Sequence, residues 1–386
     1  MSNVILLGLT SLLADFSSEI IIPLLPFFIT SLGGAGLAIG LVTGVGDAVA
    51  AILKVGSGYW SDRIRRYKLF VYLGYGFSAV AKFFFPFVSS WPQFLIARSV
   101  ERVGKGFRDA PRDAIISESI GHENRGRAFG IQRAMDSAGA ILGSVFALLF
   151  YWYFNLSFNH IFLIAAIIAL FAVLPLFFVK VPKILSSRVA SKISFSKLNS
   201  DLKKFIFISS IFALANFSFL FFILKSQKAF EGLGVVTSIT LPLVLYIFFN
   251  IFDTAFSSYA GSLSDRIGRK PVILISYLLF IVTSIGFIYA NSFILFLLLF
   301  VLYGLFKAFI DGTQRAFVSD LSPLDIRATA LGTFEMTTGI LAIPAGLIAG
   351  FLWNLNTVFP FLFGVVIAFV SFLLLNFSIR NTKEAF

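Results

Sequence analysis

Apolar runs of about 20 residues follow one another along the chain, separated by short clusters of Gly, Pro, Ser and charge. That length matches what an α-helix needs to cross a hydrocarbon core about 30 Å thick. Segments of about ten residues that alternate apolar and polar, the mark of a membrane β-barrel, do not organise the pattern. The runs predict twelve spans, at residues 4–29, 36–60, 68–89, 93–117, 127–151, 159–180, 204–226, 233–260, 271–289, 293–319, 328–352 and 358–379. In lipid every backbone N–H and C=O needs an internal partner, and a helix supplies all of them. The expected fold class is an all-α polytopic membrane protein.

Composition sharpens this. Hydrophobic residues make up 58% of 386 and charged residues 13%, against about 25% charged in a soluble domain. The net charge of +12 raises nucleic acid as a partner until its location is read. Most of the excess Lys and Arg lies in the loops after even-numbered spans and in the tails. This is the positive-inside pattern, which puts both termini in the cytoplasm of a multi-pass protein of the cell membrane. The lipid bilayer is the partner, and nucleic acid is not. With no cysteine the chain has no disulfide or thiol chemistry. The N-terminus lacks a basic n-region and runs straight into Asp15 and Glu19, so it reads as a first span and not a cleaved signal. The 50 Phe read as lipid-facing bulk.

The longest connection contains Lys183, Arg188, Lys192, Lys197 and Lys203. It divides the chain into an N-terminal six-helix bundle (1–180), a basic cytoplasmic linker (181–203) and a C-terminal six-helix bundle (204–386). An internal repeat supports the division. Gly58-Tyr59-Trp60-Ser61-Asp62-Arg63 returns as Gly261-Ser262-Leu263-Ser264-Asp265-Arg266, and Ala14-Asp15-Phe16-Ser17 as Ala215-Asn216-Phe217-Ser218. Arg112 pairs with Arg315 and Gly130 with Gly332, all at a spacing of about 200 residues. The two bundles are thus expected to be pseudo-symmetric.

The loop from Gly261 to Lys270, with Asp265, Arg266, Gly268 and Arg269 in between, resembles the G-x-L-x-D-R-x-G-R-K signature of the major facilitator superfamily. The resemblance extends over the whole chain through spans, repeat and both loops. It implies that Asp62 and Asp265 latch the outward-facing state by pairing with neighbouring helix ends. The first copy, Gly58, Asp62, Arg63 and Arg66, departs from the signature, with Arg65 at the second Gly and Tyr67 at the Lys.

The fourth span is the most polar. At about 100° per residue, Arg98, Glu101, Arg102, Lys105, Arg108, Asp109, Arg112 and Asp113 share one face. Ile96, Val100, Val103, Phe107 and Ala110 occupy the other. An unpaired charge at mid-bilayer costs about 2.5–3.5 kcal/mol, so the charged face must meet water or carboxylates. The stretch is similar to the superfamily's R-x-x-Q-G-x-G-x-G motif, with Arg98 at its Arg, Glu101 at its Gln and Gly104 and Gly106 at its later glycines. Arg102 stands where that motif has glycine. In the drug–proton antiporters of the family the matching Arg lies in the cavity and serves proton coupling. A nucleotide loop is excluded because G-x-x-x-x-G-K-[ST] is missing. The alternative reading of this face is a ladder of salt bridges that stitches helices together.

Carboxylates lie where partners are needed: Asp15 and Glu19 one turn apart on the first span, Asp47 on the second, Asp136 beside Arg133 on the fifth. In the second half Lys307, Asp311 and Arg315 form a thinner stripe, completed by Asp253 and Glu335, and Asn216 stands at the position of Asp15. Coupling is therefore expected in the first half, with Asp15 or Glu19 linked to Arg98 or Arg102. Pro344-Ala345-Gly346 and Gly350 suggest a hinge or close packing, and Gly139 and Gly143 loosely resemble the antiporter motif of the fifth span. His122 and His160 have no metal-ligand spacing, and no metal or cofactor is expected.

Taken with the resemblance, these residues imply a secondary transporter, not an enzyme, that moves a small molecule by alternating access. The leading expectation is proton-coupled export of amphiphilic compounds by a functional monomer. Organic-anion uptake or facilitated transport, with Arg98, Arg102 and Lys105 as a clamp, and lipid or lysolipid translocation are the alternatives. An intramembrane enzyme or receptor would account for buried charge but not for the duplication and paired loops.

Overall fold

The computed structural model describes residues 2–120, 125–180, 199–323 and 326–379. Most of the basic linker, with Lys183, Arg188, Lys192 and Lys197, lies outside the described residues, as does His122. Among the described residues all regular structure is helical. Eleven helices among the described residues are long and apolar enough to cross a membrane: α1 (Ser2–Ser31), α2 (Gly36–Ile64), α3 (Tyr67–Phe87), α5 (Gly126–Tyr153), α6 (Phe158–Phe177), α7 (Ser200–Leu233), α8 (Val235–Ile267), α9 (Arg269–Tyr289), α10 (Phe293–Asp320), α11 (Thr329–Leu355) and α12 (Phe359–Ser378). The twelfth, α4 (Trp91–Glu118), has 28 residues and equals them in length, but carries the charged face. The all-α, twelve-span expectation holds.

Several helices outrun the apolar stretch that reveals them. α2 continues through Asp62 and Arg63 to Ile64, and α8 through Asp265 and Arg266 to Ile267. Polar side chains tolerate the helical backbone once it leaves the hydrocarbon, so hydropathy marks the span and not the helix end. α7 begins at Ser200 because Asn199 caps it, its side chain accepting from Leu202 N–H at 2.8 Å. α7 is also interrupted: its first segment stops at Ala215, Asn216 closes it with ψ 56°, and the helix resumes at Leu220. α1 is disturbed nearer its far end, where Pro23 and Pro26 accompany a 3₁₀ turn at Ile22–Leu24.

By contacts the chain forms two units, Met1–Gly34 with Val45–Ala190, and Ala35–Gly44 with Ser191–Phe386. In the first, α1 packs along α5 and α6, and α3 along α4 and α6. Its apolar core gathers Val4, Leu7, Val71, Tyr75, Ile115, Ile116 and Leu176 from α1, α3, α4 and α6. In the second, α9 packs on α10 and α12, and α8 on α10. The pairs α3·α4 and α3·α6 therefore return as α9·α10 and α9·α12, which is the repeat expressed as packing. Aromatic rings fill the second core: Phe212 stacks on Tyr277 at 4.1 Å, and Phe222 on Tyr303 at 4.4 Å.

The two loops that carry the signature are built alike. Arg65 has φ 56° and Gly268 φ 99°, so both turns need a left-handed residue at the same register. The first loop then holds one extra residue, Arg66. Beyond it, Lys68 Nζ donates to the carbonyls of Phe177 and Val179 (3.4 and 2.7 Å), and Lys270 Nζ to those of Asn376 and Ile379 (2.8 and 2.6 Å). Each lysine closes the carbonyl end of the last helix of its own repeat, where the helix dipole favours a cation. The lysine expected at Tyr67 is thus present one residue later. Tyr67 has a different task, donating its hydroxyl to Asp62 Oδ1 at 2.7 Å. In the second loop Arg269 meets Asp265 at 2.5 Å and Asp320, at the end of α10, at 2.9 Å.

Candidate functional site

Within the first unit the charged face of α4 is folded inward. Arg98, Glu101 and Arg108 are 3%, 1% and 4% exposed. Glycine makes this possible on two sides of the helix. A Cβ at Gly104 would collide with the Gly74 carbonyl and with Ser78 of α3, and one at Gly106 with the Ala50 carbonyl of α2. Small residues let membrane helices approach to backbone contact. At that range hydroxyls reach carbonyls across the seams: Ser78 Oγ donates to Glu101 O at 3.0 Å, and Ser57 Oγ to Gly106 O at 2.8 Å.

The charges then pair along the helix. Arg98 Nη1 donates to Glu101 Oε2 at 2.8 Å. Arg102 reaches Asp47 of α2 at 3.2 Å, with Glu101 at 3.9 Å. Gly46 leaves room for the Arg102 stem, since a Cβ there would press on Arg102 Cγ. The arginine that replaces a motif glycine is therefore matched by an acid and a glycine on the adjoining helix. Arg108 lies over the Tyr75 ring at 4.3 Å, donates to Ser78 Oγ at 3.3 Å and has Asp109 at 3.8 Å. Arg112 pairs with Asp113 at 3.0 Å and donates to Ser11 Oγ of α1 at 2.7 Å. Ser11 also accepts from Gln132 Nε2 of α5 at 2.8 Å and lies 3.1 Å from Tyr75 Oη. Gln132 passes the connection on to Asp136 at 3.0 Å.

The sequence singled out Asp15, Glu19, Asp47, Arg98, Glu101, Arg102, Lys105, Arg108, Arg112, Asp113, Arg133 and Asp136 in this half. Most of them fall into one continuous network. Glu19 lies within electrostatic reach of both Arg98 and Arg102, and Asp15 within reach of Asp136. Lys105 is half-buried beside Asp109, and Arg133 is exposed on α5. The reading of the sequence passed over Tyr75, Ser78 and Gln132 in this network and Lys82 beside it. Lys82 of α3 is 1% exposed and donates to Ser17 Oγ at 2.8 Å and Ser18 Oγ at 2.9 Å of α1. A lysine inside an otherwise apolar span was signal enough to find it.

The second unit is different in kind. Lys307 and Asp311 pair at 2.9 Å and Arg315 and Glu335 at 3.2 Å, yet Asp311 and Arg315 are exposed within the unit. Around the break at Asn216 the surroundings are aromatic: Phe219 stacks on Tyr246 at 5.4 Å and on Phe249 at 6.0 Å, and Phe249 approaches Tyr303 at 5.4 Å.

Known proteins agree with this architecture. The model of the Major Facilitator Superfamily matches residues 7–259 and again 206–385. An uncharacterized MFS-type transporter of Methanocaldococcus jannaschii is 49% identical over 97% of this chain and 94% of its own. A probable 4-methylmuconolactone transporter of Cupriavidus pinatubonensis is 27% identical over 88% of this chain and 80% of its own. Among solved structures, the nucleoside transporter NupG superposes with a TM-score of 0.79 over 98% of this chain and 100% of its own, at 19% identity.

Proposed function

The chain belongs to the major facilitator superfamily of secondary transporters, and we propose that it exports small amphiphilic organic compounds in exchange for protons. The observation that carries this reading is the division of labour between the repeats. The first holds a connected set of ionisable side chains running from the buried Arg98 and Glu101 through Arg102 to the exposed Asp47, whose pairing can respond to a proton. The second surrounds its broken helix with stacked rings suited to an apolar or aromatic solute. Gly139 and Gly143, which loosely resemble the antiporter motif, support the export direction; both let α5 touch the α1 backbone, at Leu12 and Phe16.

Transport proceeds by alternating access, as in the family, with the boundary between repeats in the linker 181–203. The carriers of coupling are Asp15, Glu19, Asp47, Arg98, Glu101, Arg102, Arg108 and Asp136. Asp62 and Asp265 regulate the gating loops, and Lys307, Asp311 and Asn216 contribute to the solute path. The protein works as a monomer in the cell membrane with both termini in the cytoplasm.

The deciding measurement is flux in proteoliposomes with ethidium as solute and a pH dye inside. Ethidium should move against its gradient when a pH gradient is imposed, with protons moving the other way. A second reading, uptake of small organic anions, is favoured by the clustered cations Arg98, Arg102 and Lys105 and by the name of the Cupriavidus relative. Benzoate accumulation in place of ethidium flux would select it and remove the export reading.

A further inference from the structure

Lys82 sits in the last α-helical turn of α3, between Ala81 and Phe83, and its ammonium group is shut off from solvent, 1% of the residue being exposed. A buried lysine normally lies against a carboxylate. This one does not: among the described residues its hydrogen-bond partners are the hydroxyls of Ser17 and Ser18, at 2.8 and 2.9 Å. Ser17 gives its own proton to the Ala165 carbonyl of α6 at 2.6 Å, and Ser18 gives its proton to the Ala14 carbonyl at 2.9 Å. A hydroxyl has one proton, so both serines offer Lys82 only lone pairs. Nζ is therefore the donor in both bonds.

Two donated bonds are what an ammonium and a neutral amine have in common. The ammonium has three N–H groups, the amine two and a lone pair. Losing a proton from the third position leaves both serine bonds intact. The site keeps both serine bonds to Lys82 in either state, stronger in the ammonium form, so the side chain stays in place as the proton comes and goes.

The charges around it are mixed. From α4 come Glu101, Arg98 and Arg108, and from α1 comes Asp15. α6, which also packs against α3, brings no Asp, Glu, Lys or Arg, and its single histidine, His160, is exposed and bonded to Ser157. Glu101 is already engaged by Arg98 at 2.8 Å and by Arg102 at 3.9 Å. The two arginines oppose a charge on Lys82, and the acids favour it. A small rearrangement of Arg98, Glu101 or Asp15 changes that balance. Burial also prevents exchange with water in the present conformation, so gain or loss of the proton is tied to a conformational change.

We propose that Lys82 is the proton-carrying group of the first repeat, held by Ser17 and Ser18 and read out by Glu101, Arg98, Arg108 and Asp15. The proposal rests on the proton-coupled reading above and names where that proton binds. The proton leaves from the third N–H to water when the repeat opens and returns to the same lone pair.

Two measurements test it. In the first, the protein is labelled with ¹³C,¹⁵N-lysine and reconstituted in nanodiscs, and the resonance missing from Lys82→Met is followed against pH. It should pass between the ammonium and amine positions within the pH range over which the transporter works. A resonance fixed at the ammonium position throughout overturns the proposal. In the second, ethidium flux is compared in wild type, Lys82→Met and Lys82→Arg. Both variants should lose pH-gradient-driven accumulation, since neither side chain gives up and regains a proton. Wild-type accumulation in Lys82→Met or in Lys82→Arg also overturns it. Where Lys82→Met does not fold, Lys82→Arg serves to assign the resonance. If the wild type moves no ethidium, the export reading fails, and the resonance alone still decides the role of Lys82.

Discussion

Arg102 of α4 and Asp47 of α2 meet at 3.2 Å, and the pair joins the most polar helix of the first repeat to a helix that is otherwise apolar at that level. The arginine side chain is 16% exposed and the aspartate 51%. Asp47→Asn should therefore destabilise the protein by about 1 kcal/mol, well below the about 3–5 kcal/mol of a fully buried pair. The exchange Asp47→Arg with Arg102→Asp should recover most of the loss. Thermal unfolding in detergent measures both, and a swap less stable than either single variant would show that the pair does not act through charge alone.

Ser11 accepts from Arg112 and Gln132, and its hydroxyl lies 3.1 Å from Tyr75 Oη. Helices α1, α3, α4 and α5 converge on this one hydroxyl. Ser11→Ala leaves three buried groups short of a partner, each worth about 1–3 kcal/mol. We expect a loss of several kcal/mol, out of proportion to one oxygen atom, and a milder loss for Ser11→Thr. Denaturation midpoints of the two variants check the order.

Much of this could be read from the chain before its fold. The twelve spans followed from run length, and the repeat from the spacing of Asp62 and Asp265. The charged face of α4 followed from helical period. What escaped was decided by single residues or by geometry. Lys82 has no charged neighbour in sequence and belongs to no motif; a lysine inside an apolar span was its one signal, and its burial gives that signal weight. Lys68 was hidden by the extra Arg66, which shifts it one place from its counterpart Lys270 while both reach the same kind of carbonyl. Pairing was also illegible: Arg102 finds Asp47 because Gly46 and Gly106 set the distance between α2 and α4. Of the expected partners, Glu19 is near Arg98 and Arg102, whereas Asp15 is near Lys82 and Asp136, and their part in coupling is a matter for flux measurements.

The two signature loops differ in how much they depend on glycine. Gly268 has φ 99° and ψ 156°, a region that only glycine occupies with ease, whereas Arg65 has φ 56°, within the ordinary left-handed well. Gly268→Ala should cost about 1–3 kcal/mol. Arg65→Gly removes a smaller backbone penalty of about 1 kcal/mol, set against the loss of the interactions of the Arg65 side chain. Melting temperatures of the two variants, taken side by side, test the assignment.

The topology follows from the Lys and Arg excess and is open to a clean test, because the chain contains no cysteine. Asn155, in the turn after α5, and Ser262, near the end of α8, are both exposed. In intact cells a membrane-impermeant maleimide should label Asn155→Cys and leave Ser262→Cys unmodified until the membrane is opened. Labelling of Ser262→Cys in sealed cells would invert the whole arrangement.

The repeats should also respond differently to loss of one acid. Glu101 is buried against Arg98, and Glu101→Gln leaves that guanidinium, 3% exposed, without its closest carboxylate. The expected loss is about 3–5 kcal/mol, as for a broken buried pair. Asp311 faces Lys307 one turn earlier on α10, but its side chain is 45% exposed. An exposed i,i+4 pair is worth about 0.3–0.5 kcal/mol, so Asp311→Asn should be nearly silent in stability. Removing both members of the buried pair, with Arg98→Met and Glu101→Gln together, should restore folding relative to Glu101→Gln alone, because no stranded charge remains. Its effect on flux then separates two roles for the network. If the double variant folds and still drives ethidium with a pH gradient, Arg98 and Glu101 hold the helices together and coupling lies elsewhere in the first repeat. If it folds and drives nothing, the pair is part of the coupling path, and its cost in stability is the consequence of keeping ionisable groups inside the membrane.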